Sequence, residues 1–108
     1  MSVRVDPRVI GEHLEGRDVA YVLSVRDGRV HVIAHRLRAD GNVVSIATPG
    51  GSLADRLDVD PRVTVLWPPS RSVGEYGLYS LIADGDGRRC GEDVEITLTS
   101  AILHRPAP

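Results

Sequence analysis

Val43-Val44-Ser45-Ile46-Ala47-Thr48-Pro49-Gly50-Gly51-Ser52-Leu53-Ala54-Asp55-Arg56-Leu57 runs from an apolar, β-branched stretch through a glycine-rich bend into a helix-forming one. The change of pattern reads as a strand, a turn and a short helix. Such a bend can hold an anion. Gly50 and Gly51 let backbone N–H groups come close to it, Ser52 stands where it can cap the helix, and Arg56 lies one turn further on as a charge partner. The same residues also make an ordinary strand-to-helix turn with a serine cap. The flanking sequence decides between the two.

On the N-terminal side, Asp6-Pro7 is a helix start and Gly16 a helix end, so residues 6–16 are predicted as a short helix with Val9, Ile10, His13 and Leu14 against a sheet. Residues 18–38 are predicted as a hairpin. Its first arm alternates through Val19, Tyr21, Leu23 and Val25, Asp27-Gly28 supplies the turn, and Arg29 to Arg38 returns with His31, Ile33, His35 and Leu37 on one face. Asp40-Gly41 turns the chain into a third strand over 42–48, followed by a helix over 52–58. Arg62 to Trp67 is the fourth strand, stopped by Pro68-Pro69. After a polar segment from Ser70 to Gly74, a fifth strand is expected over Tyr76 to Ala83. A turn at Asp84-Gly85-Asp86-Gly87 then leads to a sixth strand over Glu92 to Leu103.

Six antiparallel strands with two short helices predict a mainly β single domain over residues 1–108, a small barrel that leaves few unpaired edges. In Val43–Ala47 and Val63–Trp67 nearly every position is apolar or small, so one face fills the barrel. The other is expected to meet a second copy in a homodimer, or a helix of the same chain. Trp67 ends its strand where it can cover a ligand ring or pack at that interface.

All 13 basic residues are arginine, set against 15 acids for a net charge of −2, so no lysine is available for Schiff-base chemistry. The arginines are dispersed without a basic run or an aromatic platform, which argues against a nucleic-acid partner. A lone cysteine, Cys90, excludes an internal disulfide framework, and Arg88 and Arg89 beside it do not by themselves make it a reactive thiol. With no signal-peptide h-region and no bilayer-length apolar run, the expectation is a cytoplasmic protein without a membrane partner.

His31 and His35 share a strand face but stand roughly 13 Å apart at strand rise, too far to ligate one metal, and no metal site is expected. Asp84-Gly85-Asp86-Gly87 departs from a calcium loop at its sixth position, Arg89, and no helix follows it as a dinucleotide fingerprint requires. No serine sits in a nucleophile-elbow setting, and no residue is marked as a necessary acid or base, so catalytic residues are unassigned.

The order of these elements resembles the pyridoxamine 5'-phosphate oxidase-like, FMN-binding split-barrel family. The residues that carry the likeness are Asp27-Gly28, the strand holding His31-Val32, Asp40-Gly41, a strand ending Ala47-Thr48, the Gly-Gly-Ser helix and Asp60-Pro61-Arg62-Val63. The end of the chain, Tyr79 to Gly85 and Ala101 to Pro106, is similar to a small bacterial branch of that group. The resemblance implies a split barrel, a homodimer with flavin sites between subunits, and an oxidoreductase that moves hydride at flavin N5 with FMN or the deazaflavin F420. On this likeness Thr48, Ser52 and Arg56 match the phosphate-binding block. His31, Val32 and Ile33 match the strand beside the ring. One departure stands out: members commonly carry a lysine or arginine soon after the serine, where this chain has Leu53-Ala54-Asp55. The alternatives are a non-catalytic dimeric barrel without tight flavin binding that holds another small planar ligand, or a haem barrel with His31, His35 or His104 as axial ligand.

Overall fold

Alternating apolar residues place one row of each long strand inside and the other outside, and the computed structural model, which describes residues 1–70 and 78–105, arranges these strands as an antiparallel sheet wrapped around the inner rows. In chain order the elements are β1 (Ser2–Val5), a 3-10 helix (Pro7–His13), β2 (Ala20–Arg26), β3 (Arg29–His35), β4 (Arg38–Asp40), β5 (Val43–Ile46), α1 (Leu53–Val59), β6 (Arg62–Trp67), β7 (Ser80–Cys90) and β8 (Asp93–His104). The sheet order is β3-β2-β6-β7-β8-β5-β4, with β1 paired to the C-terminal half of β8. The ends of the sheet, β3 and β4, do not pair with each other, which leaves the barrel split.

Inner-face residues Val22, Val65, Trp67, Leu81, Ile96 and Leu103 form the core, joined by Ile10 from the 3-10 helix and by Leu53 and Leu57 from α1. The β2–β3 hairpin closes on Asp27 and Gly28, whose φ values of 53° and 75° are the paired left-handed residues that a tight hairpin of this twist requires.

The mainly β split-barrel expectation holds, with differences in the elements. The described residues form eight strands in place of six. β1 had no counterpart in the sequence reading. The expected second arm, Arg29 to Arg38, breaks after His35, because Arg38–Asp40 pairs with β5 across the Asp40-Gly41 turn and leaves the β2 partnership. The first helix is a seven-residue 3-10 helix with a kink at Val9; Asp6 caps it as expected, accepting from the Arg8 backbone N–H. The Asp84–Gly87 segment is not a turn: it runs inside β7, and the chain reverses at Gly91 instead. The fifth strand's expected start at Tyr76, and most of the polar segment before it, lie outside the described residues.

The glycines in β7 have a packing reason. A β-bulge falls between Asp84 and Gly85. A Cβ on Gly85 would lie 2.3 Å from the Thr97 carbonyl oxygen, and one on Gly87 would lie 2.8 Å from Leu57 Cδ1. The first obstacle is backbone of the neighbouring strand and cannot yield, whereas the second is the end of a flexible side chain. Gly85→Ala is therefore expected to lower unfolding stability by about 3 kcal/mol and Gly87→Ala by about 1 kcal/mol, as read by urea denaturation. Equal effects, or none at Gly85, would contradict this packing.

Candidate functional site

The bend between β5 and α1 is built from left-handed backbone. Thr48, Gly50 and Gly51 have φ values of 38°, 67° and 57°. Glycine adopts this conformation freely, whereas a β-branched threonine does so only when held. Thr48 is held by Asp93, whose Oδ1 accepts its backbone N–H at 2.9 Å. Gly50, Gly51 and Ser52 are exposed.

Ser52 occupies the N-cap of α1 but makes no capping hydrogen bond with its side chain. That corrects the expected serine cap. The competitor is Arg56, one turn on, whose Nη1 donates to Ser52 Oγ. Arg56 is itself only 2% exposed. Its Nε donates to Ser24 Oγ at 2.8 Å, on the inner face of β2. Its Nη2 is buried without a partner. The acids nearest to it in the helix face elsewhere, since Asp55 and Asp58 both accept from Arg89, at 2.7 and 2.8 Å. The guanidinium thus sits in the interior with two hydroxyls and no carboxylate among its hydrogen-bond partners. Burial of a cation without a counter-charge costs several kcal/mol in effective terms, on the order of 3 or more. His35 Nε2 is also buried without a hydrogen-bond partner among the described residues. Burial, and then the Arg56 charge, hold the proton affinity of His35 below that of an ordinary histidine.

The structure therefore joins Ser52 to Arg56 and, through Ser24, to β3, because Ser24 is the register partner of His31. His31, Val32 and Ile33 lie on the edge strand and are exposed. By register, His31 and Ile33 share the inner side with Ser24 and Val22, whereas Val32 shares the outer side with Leu23. Trp67 departs from both expected roles. It is 1% exposed and points into the core, continuing the inner row of Val63 and Val65, so it neither covers a ligand ring nor lies at a surface. Ser24 and Asp93 were missed as site residues, and His35 entered the sequence reading only as an alternative haem ligand. Ser24 left one trace in the sequence, a polar residue continuing the inner row of Ala20 and Val22.

Beside the bend lies an open cleft of about 360 Å³ lined by Arg36, Arg38, Ser45, Ala47 and Asp93. Neither Arg36 nor Arg38 belongs to the ion pairs found among the described residues, in which Arg8, Arg26, Arg62, Arg88 and Arg89 take part. Cys90 is exposed, and its hydrogen bond with Glu95 pushes its thiol up, while Arg88 and Arg89 are committed to carboxylates. Among the described residues, no group of three or more potential metal ligands occurs and no helix is long and apolar enough to cross a membrane.

No protein-family model matches the chain. An uncharacterised protein of Mycobacterium bovis and one of Mycobacterium tuberculosis are each 34% identical to it, over 96% of this chain and 82% of theirs. Among solved structures, the FAD-binding protein of Mycobacterium smegmatis matches at a TM-score of 0.68 and 15% identity, over 97% of this chain and 100% of that one. A pyridoxinephosphate oxidase family protein of Clostridium acetobutylicum, related to general stress protein 26, matches at 0.68 and 13% identity, over 94% and 91%. The haem storage protein of Vibrio cholerae matches at 0.56 and 14%, over 96% and 93%. At these identities the structural likenesses establish the fold.

The unpartnered Arg56 has a measurable consequence. Replacing it by methionine together with Ser24→Ala removes the buried charge without stranding a buried hydroxyl. In buffer free of multivalent anions this double variant is expected to match or exceed the wild-type stability by about 1 kcal/mol. A loss of more than about 2 kcal/mol by urea denaturation would mean that Arg56 is a structural strut satisfied by the protein itself.

Proposed function

Because the chain belongs to one family with the two mycobacterial proteins and has the split-barrel fold of pyridoxamine 5'-phosphate oxidase-like proteins, we propose that it is a flavin-binding homodimer that holds the cofactor's phosphate end at the Thr48–Ser52 bend in front of Arg56. The observation that carries this reading is the buried Arg56 guanidinium, which has a free Nη2 and no carboxylate partner. A charge in low dielectric projects a strong field through its nearest polar neighbour, and Ser52, bonded to it, stands at the exposed bend. Arg36 and Arg38 in the adjoining cleft extend the same positive field. These residues fit an anionic cofactor end, although Leu53, buried in the core, replaces the cation that the family resemblance expects just after the serine.

When bound, a flavin would supply hydride transfer at N5; the chain's own residues would bind it, orient it and keep its phosphate charged. His31 to Ile33 on the exposed edge strand are the residues proposed to lie along the ring. Support for the dimer comes from the outer face of the β2–β3 hairpin. Val30 and Val32 are 60% and 53% exposed there, beside Tyr21 and Val25. Leu23, Val25 and Val30 also line a groove of about 560 Å³, whose other lining residues include the charged Asp60, Arg62, Asp84 and Asp86. Such a contiguous apolar face on a small domain is the kind that a second copy covers.

A second reading is favoured by Asp93. Its carboxylate already accepts the Thr48 N–H, one of the donors a phosphate would use, so the barrel would hold a different planar ligand without tight flavin affinity. Fluorescence titration with FMN, FAD and F420, and absorbance titration with haem, separate the two. Saturable micromolar flavin binding by a dimer, weakened about tenfold or more in Arg56→Met/Ser24→Ala, is the expected result. Failure of all three flavins to bind a folded dimer would refute the flavin reading, and a Soret band would identify haem as the planar ligand.

A further inference from the structure

The groove of about 560 Å³ on the outer side of β2, β6 and β7 is apolar along one wall and acidic along the other. Leu23, Val25 and Val30 form the apolar wall. Leu23, Thr64 and Asp84 are register neighbours in one row across the three strands, so Asp84 faces that wall from the far side of β6. Asp86 lies two residues further along β7 and shares the same outer face. A β-bulge shapes the floor. The register of β7 on β8 steps from Ser100 opposite Asp84 to Leu98 opposite Gly85, which leaves Thr99 without a partner in β7 and turns its hydroxyl onto the Asp84 carbonyl.

The hydroxyl protons of the groove are used within the protein. Thr64 Oγ1 donates to Asp84 Oδ1 at 2.6 Å, and Thr99 Oγ1 donates to the Asp84 carbonyl oxygen at 3.2 Å. A hydroxyl has a single proton, so both threonines present only lone pairs to a ligand. Arg62 turns Nε and Nη2 onto Asp60, at 3.0 and 2.9 Å, and the two charges offset each other. Asp84 and Asp86 take part in no ion pair among the described residues, and Asp86 in no side-chain hydrogen bond there either. The groove therefore holds two uncompensated carboxylates beside three aliphatic side chains. Same-face neighbours on a strand stand about 7 Å apart, a span that one ammonium group bridges with two charge-assisted N–H···O bonds of roughly 2.8 Å.

We propose that this groove binds a small organic amine, with its ammonium group between Asp84 and Asp86 and its hydrocarbon part against Leu23, Val25 and Val30. A groove of this volume suits a ligand of that class. A neutral apolar molecule would leave both carboxylates without a counter-charge. An inorganic cation would make no use of the aliphatic wall, and the described residues bring no three potential metal ligands together here. The proposal is independent of the flavin reading, since it is carried by β2, β3, β6 and β7 and is opposite in sign to the Arg56 bend. Tyr21 and Val32, the other exposed apolar residues of the β2–β3 face, do not line the groove, so a second copy seated on them and an amine in the groove use neighbouring parts of the sheet.

Phenethylammonium is the probe, with 2-phenylethanol as its neutral counterpart of the same shape. Binding is followed by NMR of the Leu23, Val25 and Val30 methyl groups at neutral pH and low salt, where the charges are least screened. The expected result is a saturable shift of these methyl signals, with the ammonium bound about tenfold or more tightly than the alcohol. Asp86→Asn removes one charge from a residue that has no internal bond to lose, and is expected to weaken the ammonium about fivefold or more while leaving the alcohol unchanged. Asp84→Asn keeps an oxygen for Thr64 to bond and is expected to act in the same direction. Equal binding of the two probes, unchanged ammonium binding in Asp86→Asn, or no shift of these methyls in the folded wild type would overturn the proposal. So would displacement of the ammonium by an equimolar amount of calcium chloride, which would make Asp84 and Asp86 a site for an inorganic cation.

Discussion

A permanently charged guanidinium enclosed by the barrel with no carboxylate beside it constrains much of what surrounds it. Arg56 draws Ser52 away from the helix cap and fixes Ser24 on the inner face of β2. Its helix neighbours do not relieve the charge, because Asp55 and Asp58 turn outward to Arg89. A core of this size has no need of a cation at that point; Leu53 and Leu57 already anchor the helix. The arrangement makes physical sense if something negative arrives from outside the chain.

The rest of the architecture brings that point to an accessible place. α1 packs on β7 with Leu57 over Gly87, and the bend before it is at the surface, with Gly50, Gly51 and Ser52 exposed. The sheet ends at β3 and β4 without closing, so the strand that carries His31, Val32 and Ile33 has one side free. The cleft of Arg36 and Arg38 opens beside the bend, with Asp93 reaching from β8 to Thr48 between them. The outer face of β2 and β3 is apolar, which suits a second copy better than water.

How much of this could be read in advance depends on whether the cause was local. The strand, glycine bend and helix of Val43 to Leu57 were legible because turn chemistry and period changed within fifteen residues or so, a length over which local signals are strong. The Asp27-Gly28 hairpin was legible for the same reason. The Asp84–Gly87 segment was misread because glycine serves two purposes, a free backbone for turning and an absent side chain for close packing, and only the positions of Thr97 and Leu57 tell them apart. The transfer of Arg38–Asp40 to β5 is a choice of pairing partner, which no window on the chain contains. Ser52 was expected as a cap because the side chain of Arg56 had not been placed. The bond from Arg56 to Ser24 joins α1 to β2, elements distant in sequence, so its members were visible singly and their meeting was not. Trp67 was open to a better reading, since the alternation of Val63, Val65 and Trp67 puts it on the inner row.

The most direct test of the central claim, that the counter-charge of Arg56 is a bound anion, is a crystal structure of the protein soaked in bromide, with anomalous scattering used to locate the ion. The account predicts an anomalous peak within hydrogen-bonding reach of Arg56 Nη2. A carboxylate of the protein itself lying against that nitrogen, with no bromide beside it, would contradict the account and make Arg56 one half of an internal ion pair.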